Sequence, residues 1–136
     1  MDTIRADADQ LEQVFLNFFL NAMEAMKHGG ELSVVTEIRA ASEWVAALSG
    51  TNGDSHEVLR VTIRDDGEGI RKEDIPHVFD PFFTTKDYGT GLGLSVVHGI
   101  IQEHGGQIEV KSELAKGTVF TIYLPLAREK QEVAAA

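Results

Sequence analysis

The sequence contains no cysteine. That excludes a disulfide framework, a thiolate metal site and a cysteine nucleophile. It also lacks a basic balance: 12 Lys and Arg stand against 22 Asp and Glu, a formal net charge of −10. A protein that grips phosphates along a nucleic acid needs a basic surface, so the acidic excess argues against nucleic acid as a partner. A single nucleotide is not excluded, because local groups and a divalent cation can hold its phosphates. No apolar run approaches membrane-spanning length, and the polar N-terminus does not resemble a signal peptide. The chain is expected to be soluble, with any membrane segment of a parent protein lying in other sequence. Internal repeats are absent as well. What is present is 136 residues of mixed charge, a length that suits one domain with one core. We expect a single domain over residues 1–136, with its core at about 10–126 and a frayed tail at 127–136.

Apolar residues at Leu11, Val14, Phe15, Phe18, Ala22, Ala25 and Met26 predict a helix over 9–27, stopped by His28-Gly29-Gly30. Leu32 to Ile38 and Val58 to Arg64 predict strands, the second with Leu59, Val61 and Ile63 on one face. The segment between them carries a turn cluster at 49–54 and reads as an extended hairpin connection. A short helix is expected over 72–78, a loop over 79–93, and a second long helix over 94–104 closed by Gly105-Gly106. Gln107 to Ser112 and Thr118 to Leu124 form a hairpin around Ala115-Lys116-Gly117. This order implies a two-layer α/β (α+β) sandwich with a mixed, mostly antiparallel sheet and helices on one face.

Four pieces can carry chemistry. Asn17 and Asn21 lie one helical turn apart and project on the same side. A lone asparagine there is most often solvated; as a pair facing a cleft, they offer an amide oxygen to a magnesium ion that mostly keeps waters and substrate phosphates. Asp65-Asp66-Gly67-Glu68-Gly69 follows a strand. Such a segment is commonly a surface turn, but its glycines also allow close backbone approach to a flat ligand. A buried Asp65 would accept from the exocyclic amine of adenine and repel the oxygen that guanine places there. Gly89-Thr90-Gly91-Leu92-Gly93-Leu94 runs into a helix, whose N-terminal N–H groups make an anion site. The segment has neither dinucleotide-fingerprint spacing nor a P-loop Gly-Lys-Ser/Thr. Lys86 precedes it and is either a phosphate contact or a solvated loop lysine. Finally, Phe79, Phe82 and Phe83 flank Pro81 and are expected to anchor their loop on the body.

In this order the pieces resemble the N, G1, F and G2 boxes, with the terminal Gly117-Thr118, of the catalytic domain of sensor histidine kinases. That family lies in the gyrase, Hsp90, histidine kinase and MutL superfamily. The likeness runs from about Gln10 to Leu126, and the run from Phe79 to Lys86 looks most like the nitrogen-regulation type. The resemblance implies a Bergerat-type ATP-binding fold, with ATP and Mg2+ in a cleft under a lid. Position by position, it makes Asn21 the magnesium ligand and Asn17 its polar partner. Asp65 becomes the adenine-binding carboxylate, supported by Gly67, Gly69 and Ile70, with Thr118 at the adenine end. Gly89, Thr90, Gly91, Leu92, Gly93 and Leu94 become the phosphate-side loop, and Lys86 the lid lysine. Asn17, Asn21 and Lys86 would be the catalytic positions. Two features depart from the pattern: Glu24 and Ala25 stand where many relatives carry a basic residue and an aromatic, and the connection over 40–57 is long.

In the hydrolytic branches of the superfamily, the position of Asn17 is usually glutamate. A carboxylate can take a proton from an attacking water, whereas an amide cannot. A neutral imidazole already offers a lone pair, so Asn17 favours transfer to histidine. None of His28, His56, His77, His98 and His104 lies in a His-Glu motif followed shortly by proline on a helix. The resemblance therefore implies an excised catalytic module. Its partners would be a separate dimerisation and histidine phosphoacceptor domain and, through phosphorelay, a response regulator. The isolated module would be a cytoplasmic monomer, its parent either soluble or membrane-anchored. An ATP hydrolase of the same fold and a binding module without catalysis are the alternatives.

Overall fold

The computed structural model describes residues 4, 6–40, 57–84 and 93–126. Helix α1 spans Ala8–Ala25. Asp7 caps it by accepting the Gln10 N–H at 3.1 Å, and Asp9 in the first turn suits the positive end of the helix dipole. It ends slightly before the predicted limit, where the Met26 N–H turns back to the Ala22 and Met23 carbonyls. Strands β1 (Leu32–Ala40) and β2 (Glu57–Asp65) pair antiparallel, from Leu32 opposite Asp65 to Ala40 opposite Glu57. The expected hairpin connection over 41–56 lies outside the described residues.

The helix expected over 72–78 is shorter than predicted: only a single 3₁₀ turn, Ile75–His77, forms. Pro76 has no N–H to give an α-helical ladder, and the turn closes through His77 N–H to Asp74 O at 2.9 Å and Val78 N–H to Ile75 O at 3.3 Å. Helix α2 spans Gly93–Glu103. The predicted glycine stop is there, with Gly106 N–H on Ile101 O at 2.9 Å and Gly105 N–H on Gln102 O at 3.0 Å. The chain finishes as a hairpin of β3 (Gln107–Glu113) and β4 (Gly117–Pro125). The sheet runs β1-β2-β4-β3, and each of its three strand pairings is antiparallel. The expected sandwich is therefore present without a parallel component in the described sheet.

The two central strands bury the alternate residues Val61, Ile63, Phe120, Ile122 and Leu124. Onto them pack Val14 and Phe18 of α1 and Val97, Ile100 and Ile101 of α2. The Phe18 and Phe120 rings lie 4.9 Å apart, centroid to centroid. This core fixes α1 over β2 and sets α2 beside it. The polar edge of α1, the end of β2, the start of β4 and the first turn of α2 are thus brought around one space.

Candidate functional site

That space is a cavity of about 270 Å³. From α1 it is lined by Asn17, Leu20, Asn21, Glu24 and Ala25. The end of β2 and the turn after it contribute Asp65, Glu68, Gly69 and Ile70; Gly93 and Leu94 open α2 on the far side, and Thr118 and Phe120 belong to β4. Of the residues singled out from the sequence, Asn17, Asn21, Asp65, Gly69, Ile70, Gly93, Leu94 and Thr118 are thus brought together. Lys86, Gly89, Thr90, Gly91 and Leu92 lie outside the described residues.

Asp65 is 7% exposed. Its Oδ1 accepts the Gly67 N–H at 2.9 Å, and the backbone N–H of Thr118 donates to the same carboxylate. Burial pushes its pKa above the ordinary aspartate value; the two N–H donors oppose that rise, and neighbouring Asp66 adds to it. Asp66 itself turns the other way and accepts the Glu31 N–H at 2.9 Å.

The glycines after Asp65 are also required by packing. A Cβ on Gly67 would meet the Ala25 carbonyl oxygen at 2.5 Å, and one on Gly69, at φ +75°, would run into the Glu113 carbonyl oxygen. They let the turn fit between the end of α1 and the β3–β4 hairpin. Glu68 straps it on both sides, N–H to Ala25 O at 3.0 Å and carbonyl from Ala115 N–H at 2.9 Å. Gly67 accordingly does not line the cavity, while Gly69 does.

Asn17 does more than face the cleft. Its Nδ2 donates to the Gly93 carbonyl at 3.4 Å and so links α1 to the start of α2. The aromatic loop divides. Phe79 stacks on His98 with centroids 5.2 Å apart and reaches Phe120, as an anchor should. Phe83 lines the cavity and lies 5.9 Å from the His77 ring. Phe82 does not anchor: it is 74% exposed, on a left-handed backbone at φ 68° that turns its ring outward.

Sequence reasoning missed Leu20, Glu68 and Phe83 as lining residues. It marked Glu24 only as a departure; its position three after Asn21 was the signal that it shares the face. Glu24, Asp65 and Glu68 give the described wall three carboxylates and no Lys or Arg. An anionic phosphate chain would need a cation to enter such a wall. Asn21 offers a neutral oxygen ligand there, and no cluster of His, Cys, Asp and Glu among the described residues forms a protein cage for a metal. This donor set fits magnesium, which binds through one or two protein ligands and substrate phosphates.

The family model "Histidine kinase-, DNA gyrase B-, and HSP90-like ATPase" matches residues 6–128, and the chain belongs to that family. Within it, this is an ATP-binding catalytic domain of the sensor histidine kinase type. It is 44% identical over 129 residues to sensor histidine kinase ZraS of Salmonella typhimurium, covering 95% of this chain and 24% of that protein. It is 40% identical to sporulation kinase E of Bacillus subtilis, covering 95% and 15% respectively. The chain thus spans a quarter or less of these relatives. The solved catalytic domain of histidine kinase ThkA superposes with a TM-score of 0.67 at 32% identity, over 90% of this chain and 70% of that one. Full-length ShkA in complex with AMPPNP gives 0.69 at 28% identity, over 93% and 24%.

Proposed function

We propose that this domain binds ATP with magnesium and transfers the γ-phosphate to a histidine on a separate helical dimerisation domain. The observation that carries the reading is the buried Asp65 carboxylate at one end of the cavity with Asn21 on its α1 wall. Asp65 accepts the adenine amine and Thr118 stands beside it. The phosphates extend toward Asn21 and the start of α2, where Gly93, Leu94 and, from the preceding segment, Lys86, Gly89, Thr90, Gly91 and Leu92 complete the phosphate side. Asn21 would hold magnesium, which would supply neutralisation of the phosphate charge. Asn17 supplies an amide and no base, which suits an imidazole acceptor better than water.

The run from Phe79 to Lys86 supports placing the domain with the nitrogen-regulation type. A response regulator is the proposed downstream partner; the structural neighbour ThkA has been solved with response regulator TrrA. We take the 136 residues as one catalytic domain, monomeric by itself and working in the cytoplasm, where ATP is. No helix among the described residues is long and apolar enough to cross a membrane.

Calorimetry tests the site. ATP should bind with magnesium and much more weakly without it. Asp65→Asn presents an amide donor to the adenine amine and should weaken binding by roughly 1–3 kcal/mol in a folded variant. Unchanged affinity in that variant would remove Asp65 from the site.

A further inference from the structure

Ser112 lies on β3 directly opposite Thr118 on β4, behind the residues that line the cavity. Its Oγ has three polar neighbours: the Ile70 N–H at 2.8 Å, the Gly117 carbonyl oxygen at 3.0 Å and the Thr118 hydroxyl at 2.8 Å. A serine hydroxyl has one proton and two lone pairs. The Ile70 N–H can only donate, and the Gly117 carbonyl can only accept. All three contacts are satisfied together in one way: Ser112 donates to Gly117 and accepts from both Ile70 and Thr118. The Thr118 proton is then directed at Ser112, and the lone pairs of Thr118 are what remain for the cavity.

Thr118 is 5% exposed, so bulk water does not compete freely for that proton. Next to it stands the Asp65 carboxylate, which as an ion also only accepts. This end of the cavity therefore accepts from two groups and donates from neither. We infer that Ser112 is a positioning residue for base selectivity: by holding the Thr118 proton it makes this end acceptor-only. Such an end suits an exocyclic amine and disfavours a ring carbonyl oxygen. The inference rests on the reading of Asp65 as the base-binding carboxylate, and extends it to a residue that never touches the nucleotide.

The test compares ADP with inosine diphosphate, which carries a carbonyl oxygen where adenine has its amine. Calorimetry at fixed magnesium measures the ratio of the two affinities for the 136-residue chain. The wild type should prefer ADP. Ser112→Ala should narrow the preference by about tenfold, because a freed Thr118 hydroxyl can turn and donate to the oxygen. Ser112→Thr should restore it. In a Thr118→Val background, Ser112→Ala should no longer change the ratio, since the hydroxyl through which it acts is gone. A merely structural role would weaken both ligands alike and leave the ratio in place. A second readout needs no variant: the Thr118 hydroxyl proton should be slow to exchange in proton NMR and close to the Ser112 Hβ protons. An unchanged ratio in Ser112→Ala, or a Thr118 hydroxyl in fast exchange, would overturn the inference while leaving Asp65 in place. A wild type that binds neither nucleotide would overturn both readings.

Discussion

Asp65, the proposed base-binding carboxylate, is buried. Burial raises its pKa, and the N–H groups of Gly67 and Thr118 only partly offset that. Because the folded-state value is raised, the stability linked to this group is fully present below its unfolded pKa. It is lost as pH rises through the folded value. Thermal unfolding of the ligand-free chain should accordingly show stability falling with pH across that window, and Asp65→Asn should flatten the slope. ATP affinity should run the other way. If Asp65 holds the adenine amine as proposed, the contact needs the ionised carboxylate, so binding should weaken as pH falls through the same raised pKa. Calorimetry over a pH series would show both signs, and a wild-type affinity flat across that range would contradict the assignment. Asp65 could be singled out from the sequence because an acidic residue at a strand end followed by spaced glycines is a local pattern. Ser112 was not. Its meaning arises from the β3–β4 register, which puts it opposite Thr118, and from Ile70, which is brought in from elsewhere in the chain.

At the level of elements, α1 has two faces with separate duties. Val14, Phe18 and Ala22 bury themselves, while Asn17, Asn21 and Glu24 turn to the cavity. Phe18→Ala should cost about 3–5 kcal/mol through lost burial and an unfilled space beside Phe120, a large part of the stability of a domain this size. Asn21→Ala should leave the urea midpoint nearly in place and weaken the magnesium-dependent part of ATP binding. Denaturation and calorimetry on the two variants separate these duties. If Asn21→Ala unfolded the chain as readily as Phe18→Ala, the division would be wrong. The helices and central strands were readable because burial imposes a period of 3.6 or 2 on them. The expected helix over 72–78 is cut to one 3₁₀ turn because Pro76 sits inside it. The fate of Phe82 was hidden too: nothing in Phe79-Asp80-Pro81-Phe82-Phe83 says which ring a left-handed residue turns outward.

For the molecule as a whole, the acidic balance and the cavity wall point the same way. A chain of net charge −10 with three carboxylates among the described residues lining its cavity is better suited to a phosphate chain already paired with a cation than to free polyphosphate. The ordered set of motifs made the fold and the family readable from the sequence, since each piece is modest alone and their order is specific. The sequence could not show that Asn17 also ties α1 to α2 through Gly93 O, because that contact spans 76 positions. Transfer to histidine is the central proposal, and one reaction tests it most directly. This chain, incubated with γ-labelled ATP, magnesium and a separately supplied histidine-bearing helical bundle from a matching kinase, should label the bundle and not itself. Transfer should be slow, because covalent linkage would mainly raise effective concentration, and the product should be acid-labile and base-stable, as a phosphoramidate is. Rapid phosphate release with no label on the bundle would contradict the account and favour a hydrolase of the same fold.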